Sequence, residues 1–137
     1  MMAGETAIQK ALIFGMITMS AVDRRIDDSE LQKIGNIVRH LPVFASYDEE
    51  NLIKDSQECG EILGQDDGLD VILAMVSSVP KPLHEIAYAL AVEVAAADLR
   101  VETEEVRFLE MLRDRLKLDT LVTAAIERSA RARYQTL

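Results

Sequence analysis

The chain has 137 residues, a net charge of −9, 49% hydrophobic and 28% charged residues. That length suits one domain, spanning 1–137 and closing on a single core, and the balance excludes disorder along the whole chain. An acidic surface repels a nucleic-acid backbone and an anionic lipid surface alike, so cations or basic protein patches are the partners it favours.

Aromatic content is 4%, with no Trp, and the abundance of Ala, Leu, Ile, Val and Glu predicts an aliphatic core built from helices. Apolar residues Ala7, Ile8, Ala11, Leu12, Met16, Ile17 and Met19 cover most faces of a helix over about 5–22, which is therefore expected at the centre of a bundle. Its uncharged run from Ala11 to Val22 stops at Asp23, short of the roughly 18 residues a membrane span needs. Asp27 or Asp28 then caps a second helix with Leu31, Ile34, Ile37, Val38 and Leu41 as its buried stripe, ending at Pro42.

Asp48 opens a third helix that Gly64 closes, and a shorter apolar helix follows, stopped by Pro80. Pro82 can open the next segment, "LHEIAYALAVEVAAAD", a second central helix whose Ala87, Ala91 and Ala95 are expected to face Gly15. An amphipathic helix with Val106, Leu109 and Leu112 inward comes next, and Asp119 begins the last. The expectation is an all-α bundle of about seven helices.

Two of these units repeat. Residues of about 10–41 and 85–116 align without insertion, so that Asp23, Arg25 and Glu30 match Asp98, Arg100 and Glu105, each 75 positions further on. The apolar pattern matches as well, with Ile26, Leu31, Ile34 and Ile37 over Val101, Val106, Leu109 and Leu112. Each half is thus a helix-turn-helix in which a small residue, Asp, any residue, Arg and an aliphatic precede a Glu.

This doubled pattern resembles the tellurite-resistance TerB-like family. The resemblance implies a helical bundle with two pseudo-symmetric halves, each bearing an Ala-Asp-Gly turn and an acidic residue opening the next helix; here Arg24 and Leu99 stand in place of that glycine. It also implies a stress-response setting, with protein partners that include membrane components. One cysteine, Cys59, supplies no dithiol couple for direct reduction of tellurite, so any role in resistance is expected to be indirect.

Asp23 and Asp98 fall near the C-terminal ends of apolar helices, where a negative charge opposes the helix dipole. Glu30 and Glu105 fall in the first turns of the helices that follow. If the halves pack about a pseudo-twofold axis, these four carboxylates can approach one another. Oxygen ligands without His or Cys suit calcium, magnesium or manganese, so Asp23, Glu30, Asp98 and Glu105 are the candidate metal ligands, and the spacing does not match an EF-hand loop. The competing reading is structural: Asp27 and Glu30 as a capping-box-like pair, and Arg25 and Arg100 neutralising Asp23 and Asp98.

Other candidates favour structural roles. Cys59 has no motif pairing it with His40 or His84, which disfavours a nucleophile or a zinc site. Met16, Met19, Met75 and Met111 read as core filler, and His40 suits a helix C-terminus. Arg128, Arg131 and Arg133 form a small basic face, and Glu93 needs either a partner or a polar edge. A lone cysteine and the lack of a signal-peptide pattern point to the cytoplasm. The leading expectation is a non-enzymatic interaction or regulatory module that binds a divalent cation through its acidic turns. The alternatives are a metal-dependent hydrolase using the carboxylates and a purely structural oligomer.

Overall fold

The computed structural model describes residues 2–21, 27–97 and 103–137. Among them are seven α-helices and no strand: α1 (Met2–Ala21), α2 (Asp28–His40), α3 (Leu52–Leu63), α4 (Gly68–Ser77), α5 (His84–Ala97), α6 (Thr103–Leu116) and α7 (Thr120–Arg133). The all-α expectation is met, and no helix among the described residues is long and apolar enough to cross a membrane.

Helix ends follow local chemistry. Asp27 caps α2, its Oδ1 accepting from the Glu30 amide at 2.9 Å, and Asp119 caps α7, accepting from the Leu121 amide at 2.8 Å. Asp48 caps a short 3₁₀ turn, Glu49–Asn51, which leads into α3. Two further 3₁₀ turns lie at prolines: Pro42, expected to end α2, begins Pro42–Phe44, and Lys81–Leu83 follows Pro80, expected to stop α4, and contains Pro82, expected to open the next helix. Gly64 ends α3 as anticipated but at φ −74°, so it closes the helix without using left-handed freedom.

Every residue of α1 from Ala11 to Ser20 is buried, because α1 packs against α5, α3 and α4. Its largest interface is with α5, whose Ala87, Leu90, Ala91 and Ala95 are also buried. Gly15 does not face these alanines, however. A Cβ there would meet the Val76 side chain of α4 at 3.4 Å, so the glycine serves the α1–α4 contact.

The inward face of α6 differs from the expected stripe as well. Phe108, Leu112 and Leu116 are buried together with Glu105, whereas Val106 is 43% exposed and Leu109 is only partly covered. On α2 the buried apolar residues are Ile34 and Val38, which the repeat aligns with Leu109 and Arg113. The two helices therefore bury faces one residue apart, about 100° around the axis, despite their matching sequence pattern.

Buried polar groups are tied off locally. Gln9 Nε2 donates to the Val43 carbonyl at 3.1 Å and to Ser46 Oγ at 3.0 Å, holding α1 to the Pro42–Phe44 turn, and Tyr47 donates to the buried Asp55 at 2.6 Å. Cys59 Sγ donates to the Phe14 carbonyl at 3.7 Å and lies 3.6 Å from Thr18 Oγ1. Burial pushes this thiol up to about 11, against the lowering effect of the Thr18 hydrogen bond, so it is an inert core group at neutral pH. Met16 and Met19 are fully buried, as core filler should be.

Candidate functional site

The sequence repeat converges at one end of the bundle. A cleft of about 320 Å³ is lined by Ser20 at the end of α1, Glu30 and Lys33 on α2, Ala97 at the end of α5, Glu105 on α6, and Tyr134 beyond α7. Glu30 and Glu105, 75 positions apart in the chain, thus border a single space. Both sit in the first turn of their helices, where the exposed amide ends favour negative charge.

Their environments are unequal. Glu105 is only 5% exposed, held among the inward residues of α6, while Glu30 is half-buried. Lys33, one turn beyond Glu30, brings a positive charge to the same wall, and Asp27 lines it from the cap position. Asp23 and Asp98, and with them Arg25 and Arg100, lie outside the described residues. Among the described residues no three His, Cys, Asp or Glu side chains are grouped as a metal cage would require.

Tyr134 closes one side of the cleft. Its hydroxyl donates to Glu93 Oε2 at 2.6 Å, and Arg133 pairs with the other oxygen of the same carboxylate. That hydrogen bond, reinforced by burial, pushes the phenol up to about 12. Glu93, which stood out in the sequence as a charge within an apolar helix, is therefore half-buried and fastened to the end of α7. Tyr134 carried no such signal: it follows the basic run of α7, and only the packing of α7 on α5 delivers it to the cleft.

The remaining candidates fall into structural positions. His40 Nδ1 lies 2.6 Å from the Asn36 carbonyl at the end of α2, and His84 sits between the Val79 and Leu116 carbonyls, at 2.9 and 3.4 Å from its two ring nitrogens. Arg128, Arg131 and Arg133 are all exposed on α7.

Comparison with protein-family models, with curated proteins and with solved structures finds no match to this chain.

Proposed function

We propose that this protein is a non-enzymatic interaction module whose acidic turns bind a divalent cation, and that cation binding regulates how it meets protein partners. The observation that carries the reading is that Glu30 and Glu105, equivalent in the repeat, line one cleft. Two carboxylates at helix N-termini supply hard oxygen donors, and Asp23 and Asp98 are the further donors that the repeat offers. Calcium, magnesium and manganese are the fitting ions, calcium tolerating irregular geometry best. The resemblance of the doubled motif to the tellurite-resistance TerB-like family supports a stress-response role, with partners that include membrane components. The lone cysteine fits a reducing cytoplasm.

Calorimetric titration with each of the three ions tests the reading, using the native chain, Glu30→Gln with Glu105→Gln, and Asp23→Asn with Asp98→Asn. Saturable binding in the native chain, lost in both double variants, is the expected result. Binding must also raise the melting temperature, by a stabilisation of about 2.7 kcal/mol at a hundredfold excess over the dissociation constant. Absence of both heat and melting shift for all three ions would overturn the proposal and leave the carboxylates as caps and ion-pair partners.

A further inference from the structure

We infer that the protein self-associates head to tail, with α7 of one copy docking into the groove between α2 and α3 of the next. This goes beyond the cation reading and does not depend on it. The groove holds about 830 Å³ and shares only Asp27 with the lining of the carboxylate cleft. One face of α3 forms its wall, through Ile53, Ser56, Gln57, Gly60 and Gly64, which recur at the spacing of a helix-packing stripe. Ile17 and Leu31 supply apolar floor.

Three features mark this face as a seat for a helix. Ile53 is 61% exposed, a large aliphatic side chain left in water. A Cβ built on Gly60 meets nothing within 4 Å, so another backbone can approach α3 closely there. The rim carries Asp27, Asp28 and Glu61, and among the described residues lining the groove there is no Lys or Arg. Asp28 and Glu61 make no ion pair among the described residues.

The complementary helix is on the same molecule. The face of α7 that meets the core carries Thr123, Ile126, Glu127 and Ala130, while Leu121, Ala124, Ala125, Arg128 and Ala132 stand exposed on the other side. Leu121 is 79% exposed, the alanines are small, and neither Arg128 nor Arg131 is ion-paired among the described residues. The registers are close: seven residues separate Leu121 from Arg128 and eight separate Ile53 from Glu61, about 10.5 Å and about 12 Å along their helices. Leu121 can therefore rest on Ile53 while Arg128 reaches Glu61, with the alanines of α7 over Ser56 and Gly60. Groove and helix occupy different parts of the surface, so the contact is heterologous, and a pair keeps one unused groove on one copy and one unused α7 face on the other.

Sedimentation velocity at about 0.15 M salt, where the repulsion between chains of net charge −9 is screened beyond about 8 Å, provides the test. Loading concentrations from about 10 μM to about 1 mM cover the dissociation constants of small interfaces. The native chain should gain mass with concentration. Gly60→Leu, which fills the groove without changing charge, and Leu121→Asp, which spoils α7, should each stay monomeric, yet an equimolar mixture of the two should form a 1:1 dimer. Glu61→Arg and Arg128→Glu should each weaken association at least tenfold and restore it when combined in one chain. Circular dichroism on each variant checks that it folds, and the Glu30→Gln, Glu105→Gln chain should associate as the native one does. A native chain that remains monomeric up to about 1 mM, or blocked variants that fail to pair on mixing, would overturn the inference.

Discussion

Replacing Gly68 by alanine would put a methyl carbon 2.0 Å from the carbonyl oxygen of Ile62, and 2.8 Å from both the Ile62 carbonyl carbon and the Leu63 Cα. All three obstacles are backbone atoms, so no rotamer change relieves the clash. The start of α4 must move away from the end of α3 by more than about 1 Å to reach ordinary contact, and Ile72 and Leu73, both fully buried, move with it. Overpacking of this kind costs about 1 to 3 kcal/mol, and the rigid obstacle places Gly68→Ala at the upper end. For a chain of this size the melting midpoint should fall by roughly 6 to 12 °C. Gly60→Ala is the internal control: the same methyl enters open space in mid-helix and should stabilise by about 0.5 to 1 kcal/mol. Thermal and urea melts followed by circular dichroism measure both. A Gly68→Ala midpoint within about 1 °C of native would refute the close approach of α4 to α3.

Phe108→Ala should cost about 3 to 5 kcal/mol in urea unfolding, since the ring is fully buried; a loss under about 1 kcal/mol would mean that α6 does not present this face. Cys59 should resist a thiol-specific chromophoric reagent at pH 8 until the chain is unfolded, and rapid native labelling would contradict its burial. Because the folded thiol is raised from 9.0 to about 11, its contribution is complete below pH 9 and is lost as pH climbs from 9 to 11; the native chain should lose more stability than Cys59→Ala across that window. Tyr134→Phe removes the hydroxyl bound to Glu93 and should cost about 1 kcal/mol, with no added effect in a Glu93→Ala background if the two residues act as a pair.

Much of the fold was legible because its signals are local. Asp27, Asp48 and Asp119 announce helix starts through their side-chain oxygens, and prolines 42 and 80 announce the breaks between helices. Which face of a helix turns inward is a different matter, since it depends on neighbours distant in sequence. For α6 the apolar letters at Val106 and Leu109 suggested one face, but Phe108 and Leu116 prevail, and Glu105 is carried inward with them. Gly15 was assigned to α5 on the strength of small residues there, while the contact belongs to Val76 of α4. In the cleft, Glu30 and Glu105 were found through the repeat alone. Tyr134 has no counterpart in the repeat and becomes visible only once α7 is laid against α5.

The burial of α1 on every side from Ala11 to Ser20 has a consequence for how the chain reaches its native state. A stretch of helix without a solvent-facing side gains little by forming alone in water, so this part of α1 is stable only when α3, α4 and α5 are already around it. Of those neighbours α5 belongs to the second repeat, and α3 and α4 lie between the two. Neither repeat can then act as an autonomous folding unit, and the molecule should pass between folded and unfolded states as one cooperative whole, with no seam between the repeated segments at which it comes apart.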